Sequence, residues 1–209
     1  MTGCDHMENI KSGFDYVDKK FDKLSRPSKI IKRTTFKNCT FNDCNLSDLI
    51  LNNCSIENCH FINCDLSLIK LLQTNFRETS FSHCRMMGIN WSEADWDPHS
   101  LLSKKRVDFE NCLLDHSLFI GLELTETRFV DCKARQMDFE GANLSHADFS
   151  ETDLEGTRFK NCNLSKANFS SAVNYAIDAG LNKLNKTRFS LPEAISLLHS
   201  LDIILEEED

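Results

Sequence analysis

The chain has 209 residues, with 32 Asp and Glu against 24 Lys and Arg, a formal net charge of −8 and 41% apolar residues. That balance suits one folded domain and disfavours a nucleic-acid-binding or membrane-binding surface, because an acidic field repels phosphate. No apolar run reaches the ~18 residues a transmembrane helix needs, and Met1–Lys11 contains no apolar signal core, so the expected location is the cytoplasm.

Residues 1–33 are polar and lean basic; Tyr16, Phe21 and Ile31 keep a five-residue phase that Arg26 breaks. This stretch reads as an N-terminal cap or arm, or as a degenerate first coil. From residue 34 to 97 the phase becomes regular: Phe36, Phe41, Leu46, Leu51, Ile56, Phe61, Leu66, Leu71, Phe76, Phe81, Met86, Trp91 and Trp96. A period of five fits neither an α-helix nor a flat strand, but it fits a solenoid that turns a corner every five residues. Two residues before these centres sits a small residue, Cys in nine places of the chain's ten cysteines, with only Cys4 outside the pattern. Cys44, Cys64 and Cys84 recur at 20, as do Leu49, Ile69 and Ile89. Twenty is four units of five, so four pentapeptides form one coil with four faces, and like residues stack at about 4.8 Å.

Such stacking holds the Cβ atoms of successive cysteines about 4.8 Å apart, beyond the spacing a disulfide prefers, so the cysteines read as small buried apolar residues. Cys59-His60, His83-Cys84 and Cys112 with His116 lack C-x-x-C spacing, and neighbours on this backbone point in opposite directions. No metal and no cofactor is expected.

Residues 98–107 interrupt the rhythm: Trp96 and Phe109 are 13 positions apart, Pro98 marks the break, and Lys104, Lys105 and Arg106 make a basic spot. An out-of-register insertion must leave the stack, as a projecting loop or a kink between two halves. From 108 to 173 the repeat resumes with Phe109, Leu114, Phe119, Leu124, Phe129, Ala134, Phe139, Leu144, Phe149, Leu154, Phe159, Leu164 and Phe169. Residues 174–209 form a C-terminal module. There Ser190 and Glu193 look like a capping box around Pro192, opening a short α-helix. Leu191, Ile195, Leu198 and Leu201 form its apolar stripe; Phe189 and Ile203 flank it, and an acidic tail follows. The stripe caps the coil end and offers a dimer interface.

No G-x-S-x-G, P-loop or H-E-x-x-H motif is present, and a solenoid filled by its own Phe and Leu leaves no pocket, so the chain reads as a non-enzyme. Charge is the remaining signal. Residues 34–97 hold eight acids and four bases, and 107–171 hold twelve acids and six bases. Asp138 with Arg158, and Glu140 with Lys160, are 20 apart and expected to pair. The other acids of that half are read as unpaired at that spacing: Asp131 and Glu151 stack as like charges, with Asp108, Glu123, Glu126, Asp148 and Asp153 on nearby faces. Twenty-six units at four per coil give a rod of about 31 Å, close to one turn of B-DNA.

The units TFKNC, TFNDC, HFINC, DFEGA, NLSHA, DFSET and NLSKA resemble the A(D/N)LXX consensus of the pentapeptide-repeat family. That resemblance implies an all-β fold, a right-handed quadrilateral β-helix. Segments outside the consensus are similar to the topoisomerase-protecting branch: CDLSLIKLLQTNF (64–76), MMGINWSEADW (86–96), DHSLFIGLEL (115–124), AVNYAID (172–178) and TRFSLPEAISLLHSLDI (187–203). The likeness is strongest to albicidin-resistance proteins of the AlbG type, and extends to Qnr quinolone-resistance proteins, MfpA and the microcin B17 immunity protein. It implies a cytoplasmic homodimer, joined through its C-terminal module, that imitates DNA and shields DNA gyrase, with topoisomerase IV as a second target. The acids named above would then meet the enzyme, Pro98 to Arg106 would form a projecting loop, and Phe189 to Ile203 would join two copies. Rival readings are a plain scaffold binding proteins through its flat faces, and a metal or redox sensor built on the cysteines.

Overall fold

The five-residue spacing resolves into four columns of inward side chains. The computed structural model describes residues 10–25, 29–96, 107–201 and 203. Its strands are mostly three residues long, and all pair in parallel with the strand one coil away. Face one carries Tyr16, Phe36, Ile56 and Phe76, each paired with the next in the series. Face two carries Phe21, Phe41, Phe61 and Phe81. Face three runs Asn45, Asp65 and Arg85 beside the inward Leu46, Leu66 and Met86. Face four carries Ile31, Leu51 and Leu71.

Each pentapeptide follows from these positions. The central residue points in and is buried, its two neighbours point out, and the residue two before the centre also points in. The residue two after the centre makes the corner in the left-handed region. Twenty-five non-glycine residues hold this conformation, with φ between 48° and 63°, and eleven of them are Asn or Asp. Side chains disfavour it by about 1–2 kcal/mol, least so Asn and Asp, whose short polar side chains bond locally. The Asn and Asp enrichment at the corners therefore answers a backbone preference.

The inward rings form one unbroken column on face two. Phe21, Phe41, Phe61, Phe81, Phe109, Phe129, Phe149, Phe169 and Phe189 stack at 4.5–5.4 Å between centroids, within 19° of parallel. A second column, Trp91, Phe119, Phe139 and Phe159, meets it edge-on at 5.4–6.0 Å. Offset stacks within a column and edge-to-face contacts between columns are the two arrangements the ring quadrupole favours.

The column passes the insertion without a break. Phe81 pairs with Phe109 as directly as Phe61 pairs with Phe81. Across the insertion the Ile89 N–H meets the Ser117 hydroxyl at a sequence separation of 28, where the equivalent contact of a regular coil, Cys64 to Cys84, has 20. The inserted segment thus lengthens one coil and returns the chain to its own register, so the ladder continues from one half into the other. Residues 97–106, including Pro98, Lys104, Lys105 and Arg106, lie outside the described residues.

Both ends extend past the regular repeat. Strands Asp15–Val17, Lys20–Asp22 and Ile30–Lys32 pair in register with the next coil, and Tyr16, Phe21 and Ile31 are buried. At the other end Arg188–Phe189 pairs with Asn168–Phe169. At one inter-strand spacing per coil, the eight steps from Phe21 to Phe189 make a rod of about 40 Å, against about 31 Å counted from the regular repeat alone.

The cysteines do more than fill space. The Cys44, Cys64 and Cys84 Sγ donate to the carbonyls of Phe21, Phe41 and Phe61 one coil back, at 3.3–3.4 Å. Thr152 and Ser117 occupy the same kind of slot and donate to the Phe129 and Met86 carbonyls. The slot selects a small inward hydrogen-bond donor, which is why Cys, Thr and Ser share it. Burial pushes the Cys54 thiol up, and Cys162 to about 11, so these thiols stay protonated. Among the described residues no cluster of His, Cys, Asp or Glu has a metal-binding arrangement, and no helix is long and apolar enough to cross a membrane.

The C-terminal segment differs from the expected α-helix. Glu193–Leu201 is a 3-10 helix, and the capping box does not close on itself. The Ser190 hydroxyl instead accepts from the Ser171 N–H at 3.2 Å, the Glu193 carboxylate from the Asn174 N–H at 2.6 Å, and the Ser200 hydroxyl from the Ala179 N–H at 3.3 Å. In regular coils the corner N–H donates to a carbonyl of the following coil, as Glu151 does to Ser170. At the last coil side-chain oxygens stand in for the missing carbonyls, so Ser190 and Glu193 cap the solenoid and not the helix.

Candidate functional site: the acidic corner

The acids singled out in the sequence fall into two structural classes. Glu126, Asp131 and Glu151 are exposed corner residues with φ of 63°, 52° and 61°. Asp108, Glu123, Asp148 and Asp153 precede an inward residue and lie on the flat faces; Glu123 is exposed and the other three are half-buried.

Register gives the face acids partners, most of them at the whole-coil spacing of 20. Asp108, Arg128 and Asp148 are successive neighbours on face two, and the Arg128 N–H donates to Asp108 Oδ1 at 3.1 Å. Asp148 also accepts from the Asn168 amide at 2.9 Å, and Glu123 from the Asn143 amide at 2.7 Å. Asp153 neighbours Lys133 and is ion-paired with Arg135, whose Nε lies 2.7 Å from Oδ2. The reading of these acids as unpaired is therefore corrected: Arg128 and Lys133 do stand one coil away from them. The Arg135 contact has a sequence separation of 18, a diagonal that a search at whole coils misses. The two expected pairs form, Arg158 with Asp138 at 2.6 Å and Lys160 with Glu140 at 3.1 Å, and Arg158 also reaches Glu140 at 2.6 Å.

Desolvation pushes the Asp153 carboxyl up, but hydrogen bonds from Asn174 and Arg135 outweigh it and hold the group below its ordinary value. Asp138 behaves alike, with Arg158 the main counterweight to burial.

What stays unneutralised is the corner between faces two and three. Asp131 and Glu151 stand on adjacent coils, both exposed, as a like-charge pair. Asp131 accepts from the Asn111 amide at 2.8 Å, while Glu151 has no ion pair among the described residues. A shallow groove follows this corner, lined by Asn111, Asp131, Lys133, Glu151, Asp153 and Val173. It brings together three of the seven acids, and leaves Glu123 and Glu126 around face one.

The apolar end divides as well. Leu191, Ile195, Leu198, Leu201 and Ile203 are exposed, Leu191 at 81%. Because side chains three apart eclipse in a 3-10 helix, Ile195, Leu198 and Leu201 form one outward row, while Leu197 packs against the core. Phe189 belongs elsewhere: its ring stacks on Phe169 at 5.3 Å and meets Tyr175 at 5.6 Å, making it the last core residue of the column. His60 faces outward to Ser80 at 2.7 Å, while Cys59 is buried.

Comparison with known proteins agrees with this geometry. The pentapeptide repeat region family matches residues 34–117 and 102–174. No curated protein matches at the level of sequence. Among solved structures, a trypsin-treated variant of QnrB1, a plasmid-mediated fluoroquinolone resistance protein, superposes with a TM-score of 0.60 at 18% identity, covering 94% of this chain and 99% of that one. Full-length QnrB1 gives 0.53 at 16%, covering 90% and 100%. HetL, a pentapeptide repeat protein involved in heterocyst differentiation regulation from the cyanobacterium Nostoc sp. strain PCC 7120, gives 0.52 at 18%, covering 86% of each chain. At these identities the likeness establishes the fold.

Proposed function

The chain belongs to the pentapeptide-repeat family, and from that premise we propose that it is a dimeric rod that imitates duplex DNA, binds bacterial DNA gyrase and protects it from a gyrase poison. The observation that carries this reading is the exposed Asp131–Glu151 corner on a rod of about 40 Å. A protein groove that holds duplex DNA reads regularly spaced phosphate charge first, and a rigid rod with carboxylates along one edge offers the same sign over a comparable length. Two rods joined through Leu191, Ile195, Leu198 and Leu201 double that length to about 80 Å. The non-repeat segments similar to topoisomerase-protecting proteins support the same target, with topoisomerase IV as a second one and the cytoplasm as the place. The rod acts by binding, without catalysis and without touching nucleic acid itself.

The test is DNA supercoiling by purified gyrase, with and without the protein, across poisons that include albicidin and a quinolone. The expected outcome is rescue from at least one poison, and weaker rescue by the doubly reversed Asp131→Lys, Glu151→Lys variant. Absence of any effect on gyrase at micromolar protein would overturn the reading in favour of a scaffold.

A further inference from the structure

Of the 25 non-glycine corners, 24 carry a polar or charged side chain and one carries an aliphatic one, Leu68. It holds φ at 59°, and its side chain is 57% exposed. Both features cost free energy: the left-handed backbone disfavours a leucine by about 1–2 kcal/mol, and the exposed side chain gains little from burial. Asn, which stands at four of the six corners between residues 38 and 63, or Asp, as at Asp48 directly one coil back, would avoid both.

The next coil is built around this side chain. Gly88 occupies the corner one coil on, with φ at 67°, and a Cβ placed on it would lie 2.8 Å from Leu68 Cδ2. Leu68 therefore leans across Gly88, where a Cβ would push the end of its side chain aside, with the half-buried Met87 next along the chain. The result is a raised aliphatic knob on an otherwise polar edge, flanked by Asp48 and His116 along the same column and by Ser67 and Lys70 along the chain.

We infer that Leu68, seated over Gly88, is an anchor that inserts into an apolar pocket of a protein partner, which on the reading above is gyrase. A costly local conformation that nothing in the rod's own packing requires points to binding. The surroundings select the occupant. A bilayer needs a broad apolar face, whereas this is a single aliphatic side chain among polar neighbours. A second copy would need an apolar hollow, and the shallow groove described above is lined by Asp131, Lys133, Glu151 and Asp153. A protein pocket accepts one buried aliphatic anchor inside a polar rim, which is the usual form of an interface hot spot. Position agrees: the Leu68 corner bounds one edge of face three, and the Asp131–Glu151 corner bounds the other. A partner laid on face three meets carboxylates at one edge and the knob at the other.

The experiment compares wild type, Leu68→Asn and Leu68→Met for binding to purified gyrase by surface plasmon resonance, with melting temperature measured alongside. Asn suits the corner backbone, so Leu68→Asn is expected to melt at or above the wild-type temperature yet bind at least tenfold more weakly. Leu68→Met keeps an apolar anchor and should bind within about threefold of wild type. Equal binding by Leu68→Asn and wild type overturns the anchor while leaving the gyrase reading intact. A melting temperature for Leu68→Asn well below wild type makes Leu68 a structural residue and overturns the inference too. Wild-type protein that fails to bind gyrase overturns the reading on which the contact rests, and the contact with it.

Discussion

Replacing Phe129 with Ala tests whether the ring column holds the rod together. Phe129 is fully buried and touches four rings: Phe109 at 5.1 Å and Phe149 at 5.0 Å in stacks, Phe119 at 5.6 Å and Phe139 at 5.5 Å edge-on. A buried Phe→Ala change costs about 3–5 kcal/mol, and each aromatic pair adds about 0.5–1.5 kcal/mol beyond the area it buries. Four lost pairs place Phe129→Ala at the top of that range, about 5 kcal/mol. Phe189 is half-buried and touches two rings, Phe169 and Tyr175, so Phe189→Ala is expected to cost about 2 kcal/mol. In a solenoid each coil interacts only with its neighbours, so a central loss weakens two interfaces and a terminal loss weakens one. Guanidinium unfolding followed by far-ultraviolet circular dichroism measures both. Costs that agree within about 1 kcal/mol would refute the column as the source of stability and point to the backbone ladder instead.

Two further outcomes follow from the hydrogen bonds. Asp138 and Asp153 have carboxyls held below their unfolded values, so the stability they contribute is full above the ordinary carboxylate pKa and is lost as pH falls through the folded one. The melting temperature should drop on acidification below about pH 4, and Asp138→Asn should show a smaller drop; equal drops would refute the linkage. At Cys84, whose thiol donates to the Phe61 carbonyl, Cys84→Thr keeps a donor and should cost under about 1 kcal/mol. The isosteric Cys84→Val removes that bond, leaves the carbonyl only its ladder partner, and should cost about 0.5–1.5 kcal/mol more than Cys84→Thr by denaturant titration. Equal costs would return the slot to a purely apolar role.

The acidic site was legible in part. Corner and face positions follow from counting modulo five, so Asp131 and Glu151 could be placed on one edge without coordinates. Arg135 could not be assigned to Asp153, because the contact runs diagonally between a residue after one centre and a residue before the next, and its separation of 18 belongs to no repeat interval. Phe189 reads from the sequence as the first residue of the dimer-joining segment, and the coil beneath it offers Phe169 as a stacking partner. Leu68 lies in the non-consensus segment 64–76, but what distinguishes it is the positive sign of its φ, which the sequence does not display.

A repeat of five with Phe and Leu at its centre and Cys or Thr two places before already determines the four-faced stack. Each position sees the same neighbours in every coil, so local chemistry and global architecture carry the same information. The tertiary structure decided what repetition cannot encode. The insertion rejoins the column in register, with Phe109 taking the place beside Phe81 in the ladder. The solenoid stops where it does because Ser190, Glu193 and Ser200 turn their oxygens onto open backbone donors, a use of side chains visible only once the last coil is in place.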